Sequence, residues 1–243
     1  MKTPRLIQFI TIIGLLAISS ISNAQLVFNG SVAEWNFSGN GSSSLLPTTV
    51  HPCITADAAL PYILNYSWST RDSLTGGPSG ANCFSNWNSG DYVGFTMHVN
   101  SATYLSLSAI QFSLGNYGNI ADPTSFFVQT FVDGSLVGTS ANYTIQSIDT
   151  GSGATLPWNP STYYTFNMGA LGLTSGPVSN FVDREYSFHI VATGASGSNG
   201  RIALDHFNIN AIGVCVPEPG SALLLFASCA PCLLRRSRGS KTA

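Results

Sequence analysis

Two carboxylates toward the C-terminal end, Asp183 and Glu185, have a spacing that could support acid and base chemistry. Residues two apart on an extended strand share one face, with about 7 Å between their Cβ atoms. A glycosidase needs two carboxyl groups about 5 to 10 Å apart around the scissile sugar bond. Arg184 lies between them at the predicted entry of a strand, which favours a solvated rim. A secreted glycoside hydrolase is therefore the least favoured function, and no catalytic residue is assigned.

Two tryptophans in turn-rich segments could bind carbohydrate: Trp87 in "SNWNSGD" and Trp158 in "LPWNPSTYY". An exposed aromatic ring offers an apolar face to a sugar, and polar loops add hydrogen bonds. Packing at the edge of the fold is the competing role for each ring. A carbohydrate-binding module, with extracellular polysaccharide as its partner, is accordingly the alternative function.

Other motifs of catalysis and cofactor binding are absent from the sequence. The segments "GPSGA" and "GASGS" each miss a glycine of the G-x-S-x-G nucleophile motif, and no zinc-protease, phosphate-loop or dinucleotide motif is present. Asp205 and His206 are adjacent, so a regular strand would point them to opposite faces. Loop oxygens around Asp205 could hold a structural calcium ion, although no calcium-loop spacing supports one. The sequence predicts no enzyme, no metal site and no cofactor.

The elements that must position these residues are short runs rich in Val, Ile, Thr, Tyr and Phe, separated by clusters of Gly, Pro, Asn and Ser. This pattern is typical of strands and turns. "DYVGFTMHV" alternates apolar and mixed positions, which predicts one buried face. At least eight such runs without helical crossovers predict a single antiparallel two-sheet β-sandwich of the jelly-roll type.

Three local features refine this prediction. In "SFFVQTFVDGSLVGTS", Asp133-Gly134 supplies the positive backbone angles of a two-residue hairpin turn. "YLSLSAIQFSL" changes its apolar phase at Ala109, which predicts a bulge, and "RIALDHFNINAI" changes phase around Asp205.

Charge is scarce in the body of the chain. Between residues 25 and 216, three arginines and ten acidic residues give a formal charge of −7, and lysine is absent. Such a surface is repelled by phosphate backbones and by anionic lipid heads. Nucleic acid is therefore excluded as a partner.

The cysteines indicate an oxidising compartment. Cys53 and Cys83 lie within the body, and a bridge between them would stabilise the fold by about 3 to 4 kcal/mol. Sequence alone does not determine the pairing.

Both ends of the chain have the composition of membrane-directed signals. Residues 1–24 combine Lys2 and Arg5, an apolar stretch and a small-residue site ending at Ala24, which together indicate a secretory signal peptide. The alternative, an uncleaved membrane anchor, is disfavoured because the apolar run is short.

The C-terminal segment 216–243 has three parts. Pro217, Glu218 and Pro219 form an extended joint that neither a strand nor a helix can continue through. A short hydrophobic helix is predicted next, in "SALLLFASCAPCLL". Positive residues that stop translocation follow: Arg235, Arg236 and Arg238.

This tripartite tail, "VPEPGSALLLFASCAPCLLRRSRGS", resembles the PEP-CTERM sorting signal of exported bacterial proteins. The resemblance implies export through the Sec translocon, transient anchoring in the inner membrane and processing by an exosortase. The segments "AEWNF", "NWNSGDYVGFTM" and "GRIALDHFNI" resemble, more loosely, β-sandwich domains that precede such tails. We therefore expect a signal peptide (1–24), a β-sandwich domain (25–215) and a sorting tail (216–243). The expected product is a structural or adhesive protein of the cell envelope or extracellular matrix.

Overall fold

A computed structural model describes residues 25–37, 45–62, 67–70, 82–116, 120–147, 164–173, 176–196 and 200–215; for residues 67–70 and 82–86 it describes the backbone alone. The chain divides into a large compact unit, residues 28–213, and a small unit made of residues 1–27 and 214–243. The predicted signal peptide and the predicted sorting tail, with its Pro-Glu-Pro motif, helix and arginines, lie outside the described residues. Within the described ranges, no helix is long and apolar enough to cross a membrane.

The described residues form fifteen strands. In chain order they are β1 (Leu26–Trp35), β2 (Thr49–Val50), β3 (Ile54–Ala56), β4 (Leu60–Tyr62), β5 (Ser67–Thr70), β6 (Asn82–Trp87), β7 (Tyr92–Val99), β8 (Thr103–Asn116), β9 (Ser125–Val132), β10 (Ser135–Thr139), β11 (Tyr143–Thr144), β12 (Gln146–Ser147), β13 (Tyr164–Asn167), β14 (Arg184–Thr193) and β15 (Gly200–Cys215).

These strands form two sheets. The eight-stranded sheet has the order β12-β8-β15-β1-β2, with β13 on β8, β6 on β15 and β5 on β6. The seven-stranded sheet has the order β10-β9-β14-β7-β3, with β11 on β9 and β4 on β7. The chain passes between the sheets from β7 to β8, from β8 to β9, and again along β13, β14 and β15, which is a jelly-roll path. The predicted all-β two-sheet sandwich is confirmed, although β12 pairs with β8 in parallel.

Alternation along the strands builds the core between the two sheets. On β7, Val93, Phe95, Met97 and Val99 are buried, as the sequence predicted. Phe95 lies flat on Phe207 from β15 in the other sheet, with ring centroids 3.7 Å apart and an interplanar angle of 2°. Because alternate residues of a strand point to opposite faces, this inward packing also determines which side chains point outward.

The predicted hairpin and the two predicted phase changes within the strands are confirmed, whereas the bulge near Ala109 stays a prediction. Asp133 and Gly134 have φ values of 50° and 74° and join β9 to β10 as a hairpin. On β8 the buried positions change from Leu105 and Leu107 to Ile110, Phe112 and Leu114, so the phase shifts near Ala109. On β15 the phase shifts at Asp205 and His206, where His206 has a φ of 57°.

Asp205 is an acidic side chain placed inside the eight-stranded sheet. It is 4% exposed, and burial raises its pKa to about 6 despite the nearby His206 ring and the His206 backbone N–H. His206 itself is partly exposed, with Nδ1 3.4 Å from Glu34 Oε1. Ionisation of Asp205 therefore opposes folding.

We expect Asp205→Asn to stabilise the protein near neutral pH and to have little effect in acid. Below about pH 3 the aspartate is mostly protonated in both the folded and unfolded states. As pH rises to about 6 only the unfolded state ionises, so wild-type stability falls by about 3 kcal/mol. Urea unfolding of both proteins at about pH 3 and pH 7.5 measures this. A stability difference that is the same at both pH values would contradict it.

Candidate functional site

The solvent side of the seven-stranded sheet carries the most distinctive set of described side chains. The register of its strands places the outward residues in rows. Tyr62, Tyr92 and Val191 form the first row; Leu60, Gly94, His189 and Gln129 the second; Thr96, Ser187 and Phe131 the third; Thr55, His98 and Glu185 the fourth. We call this surface the outer face.

Four rings form a continuous file across the outer face. Tyr62 and Tyr92 are stacked with centroids 5.1 Å apart, and Tyr92 and His189 are stacked at 4.1 Å with an interplanar angle of 11°. Phe131 continues the file, with its centroid 4.5 Å from His189 at a 41° tilt. Tyr62 lies on the short strand β4 and is 65% exposed. The aromatic file thus runs from β4 over β7 and β14 to β9, with aromatic surface open to solvent at its Tyr62 end.

Gly94 makes the centre of the aromatic file possible. A Cβ at this position would lie 3.2 Å from His189 Cδ2 and 3.4 Å from Nε2. Because glycine has no side chain, the imidazole lies over the backbone of β7 and reaches the ring of Tyr92. The choice of glycine here is explained by close packing, not by an unusual backbone angle.

The aromatic file carries no charge at neutral pH. Burial lowers the pKa of His189 below its ordinary value of 6.5. Burial, followed by the neighbouring Tyr62 hydroxyl, raises the pKa of Tyr92 above 10. The outer face therefore offers neutral rings with polar edges.

A polar pocket of about 420 Å³ opens at the fourth-row end of the outer face. Residues 52–55 form one wall; the polar side chains in its lining are His98, Asn100, Asp133, Asp183, Arg184 and Glu185.

Two of the pocket carboxylates are held by neighbouring groups. Asp133 accepts the Glu185 backbone N–H at 2.9 Å and pairs with the Arg184 guanidinium. These two interactions, the backbone one first, lower the pKa of Asp133. Asp183 accepts the Ser101 backbone N–H at 2.6 Å. Both carboxylates thus help to hold the strand ends around the pocket.

His98 lies between two further carboxylates. Its Nε2 is 2.9 Å from Asp57 Oδ2, and its Nδ1 is 3.9 Å from Glu185 Oε2. Asp57 follows β3, whereas His98 and Glu185 face each other across β7 and β14. Three separate segments therefore meet at this imidazole.

The structure places the residues predicted from sequence in different environments. Asp183 and Glu185 both line the polar pocket, which places them together as their spacing suggested. Of the two roles considered for Trp87, packing is the one observed, because it ends β6 and is 1% exposed within the core, which leaves no ring face for a sugar. Trp158 lies outside the described residues. The aromatic file and the setting of His98 were missed, although Tyr92 and His98 are among the outward positions of the alternating segment "DYVGFTMHV".

The cysteine and metal predictions are tested only in part. Cys53 and Cys215 are each disulfide-bonded. The side chain of Cys83 is not described; its backbone lies opposite Ala203, whereas Thr103 Oγ1 donates to the Cys53 carbonyl near the start of β8. The Cys53–Cys83 pairing stays a prediction. Across the described ranges, no three His, Cys, Asp or Glu side chains are grouped to hold a metal, and a structural calcium ion stays a prediction.

Comparison with known proteins identifies no family. No protein-family model matches the chain, and no curated protein matches it. Among solved structures, the enzymatically active domain of bacteriophage CBA120 tailspike protein 4 is similar at 17% identity and a TM-score of 0.32, over 74% of this chain and 21% of the tailspike chain. The chain thus spans about a fifth of that protein.

Two carbohydrate-binding modules are similar at the same level. A family 35 module from an environmental isolate has 12% identity and a TM-score of 0.29, over 76% of this chain and 93% of the module. The module CtCBM11 has 16% identity and a TM-score of 0.30, over 75% and 96%. Scores this low establish neither a shared fold nor a shared ligand.

We expect Gly94→Ala to move the His189 ring away from Tyr92, because the added methyl would lie 3.2 Å from His189 Cδ2. The Cδ2 proton of His189 should lose most of its ring-current shift in an NMR spectrum, while overall stability changes by about 1 kcal/mol or less. Gly169→Ala is the matched control, since its nearest contact would be an ordinary 3.5 Å. An unchanged His189 resonance in Gly94→Ala would refute the close packing.

Proposed function

We propose that the protein binds a neutral polysaccharide along the aromatic file of the outer face. The observation that carries this proposal is the parallel stacking of Tyr62, Tyr92 and His189 on the solvent side of a sheet whose other side already supplies the core. Stacked rings cover one another's faces, so the exposed ring of Tyr62 offers the face that would cover the apolar side of a sugar, while the ring edges along the file would bind hydroxyls.

The dimensions of the file favour an extended ligand. Its successive centroid distances of 5.1, 4.1 and 4.5 Å give a path of at most about 14 Å. A surface of this length suits several sugar rings in a row. We therefore expect affinity to rise with the length of the oligosaccharide.

Charge selects against anionic ligands. The rings of the file are uncharged at neutral pH, and the neighbouring pocket is lined by Asp133, Asp183 and Glu185 against the single cation Arg184. Carboxylates repel uronate and sulfate groups but accept hydrogen bonds from hydroxyls. A neutral glycan satisfies both properties of the face.

The protein would bind the polysaccharide without hydrolysing it. A glycosidase needs one carboxylic acid and one free carboxylate beside the bond it cleaves. In the polar pocket Asp133 is engaged by Arg184, and Asp183 by the backbone of Ser101. The arrangement supports a protein that adheres to a polysaccharide, which unites the adhesive role and the carbohydrate-binding module inferred from the sequence.

The proposed function also requires export of the protein from the cell to the polysaccharide. The predicted signal peptide, residues 1–24, would export the chain, and the tail at Pro217, Glu218 and Pro219 would direct it to an exosortase. The protein would then act in the envelope or the extracellular matrix.

Replacing Tyr92 with alanine should weaken glycan binding by about tenfold or more, because it removes the ring that links Tyr62 to His189. Affinity electrophoresis in hydroxyethylcellulose, xyloglucan, mixed-linkage glucan and polygalacturonate measures this. Retardation is expected in at least one neutral polysaccharide and not in polygalacturonate. Tyr104→Ala, which removes an outward tyrosine of the eight-stranded sheet, should bind like the wild type. Equal binding by Tyr92→Ala and the wild type would contradict the assignment of the file.

Replacing Glu218 with alanine should leave the full-length tail on the exported protein in its native host, because the predicted sorting motif is lost. Intact-mass spectrometry of the membrane and released fractions reports this directly. Wild-type protein should lack residues near or after Pro217 and the signal peptide. Release of Glu218→Ala with the same mass as the wild type would disprove exosortase sorting.

A further inference from the structure

The imidazole of His98 lies between two carboxylates, both of which are hydrogen-bond acceptors. A carboxylate is an acceptor, so the 2.9 Å contact with Asp57 Oδ2 requires a proton on His98 Nε2. In the neutral ring, Nδ1 then carries a lone pair. A second acceptor, Glu185 Oε2, lies 3.9 Å from Nδ1.

His98 Nδ1 and the Glu185 carboxylate, as two neighbouring acceptors, can both be satisfied by a ligand that donates two hydrogen bonds. Among the described residues, the nearest ionic partner of the Glu185 carboxylate is His98 Nδ1, at a distance beyond a direct hydrogen bond. A sugar with two adjacent hydroxyls can donate one hydrogen bond to Nδ1 and one to the carboxylate. An apolar group has no such donors, and an anion would be repelled by the carboxylate.

The surroundings give such a sugar room and a rigid frame. The pocket volume of about 420 Å³ is within the usual range for small-ligand sites. Its rim is held by the Arg184–Asp133 ion pair and by the hydrogen bond from Ser101 to Asp183. His98 and Glu185 take part in neither of these contacts and face each other across β7 and β14.

The polar pocket also continues the aromatic file. Phe131 ends the file on β9, and Asp133, two residues further along the chain, lines the pocket. Two residues of chain span at most about 7 Å. One glycan chain can therefore lie on the file and enter the pocket.

We propose that the polar pocket is a hydroxyl-binding subsite that takes a vicinal diol of a neutral sugar, through His98 Nδ1 and Glu185. This proposal rests on the proposed function, because the same glycan would occupy the aromatic file. It assigns to Glu185 a ligand-binding role in place of the catalytic one considered from the sequence.

Glu185→Gln tests the subsite, because the glutamine amide can donate to His98 Nδ1 and satisfy that acceptor without a ligand. Cellohexaose, xylohexaose and laminarihexaose serve as probes in titration calorimetry on the purified protein. We expect the affinity for the best probe to fall about tenfold, and the loss to disappear for the fully O-methylated form of that probe, which has no hydroxyl donors.

Glu34→Gln is the matched control. Glu34 Oε1 also lies beside a histidine, 3.4 Å from His206 Nδ1, but on the eight-stranded sheet. This variant should bind the probes like the wild type. The ¹⁵N resonance of His98 Nδ1 provides a second measurement, and it should move when the probe is added to the wild type.

The outcomes separate the two proposals. If Tyr92→Ala abolishes binding while Glu185→Gln binds as tightly as the wild type, the subsite is wrong and the function of the aromatic file stands. An unchanged His98 Nδ1 resonance at saturation would also overturn the subsite. If the wild type binds none of the three hexasaccharides and is not retarded by any neutral polysaccharide, the proposed function fails and the subsite fails with it.

Discussion

The contact between Phe95 and Phe207 is the interaction on which the rest of the structure depends. The two rings come from opposite sheets, lie parallel at 3.7 Å and are fully buried. Trp35 meets them edge-on, at 5.2 Å from Phe95 and 5.7 Å from Phe207. Aromatic side chains bury more apolar area than any others, and a one-residue slip of either strand would turn its ring to solvent. This contact therefore holds the register of both sheets.

The packing of this core determines which side chains lie on the outer face. With Phe95 and Phe188 pointing inward on β7 and β14, the intervening Tyr92, Gly94 and His189 must point outward. Cross-strand neighbours then bring the rings within stacking distance without any loop having to place them. A binding surface built on paired strands is preorganised, so a ligand would not have to order the protein when it binds.

Much of the fold could be predicted from the sequence because its signals are local. The hairpin at Asp133-Gly134 depends on two residues with positive φ, and the phase changes near Ala109 and Asp205 are visible in the alternation of apolar side chains. The choice between display and packing of Trp87 could not be made from the sequence, because the turn residues beside it do not determine its burial. That tryptophan pairs with Gly200 of β15, far away in the sequence. Local composition cannot report such a contact.

The sequence by itself determined that this chain forms a sparsely charged all-β sandwich, because strand alternation and turn chemistry are properties of neighbouring residues. It also showed that acidic residues outnumber basic ones between residues 25 and 216. Only the tertiary structure decided that Tyr62, Tyr92, His189 and Phe131 stand in one file, and that His98 lies between Asp57 and Glu185. These groups come from separate strands, and the pairing order of those strands follows from the packing of the whole core.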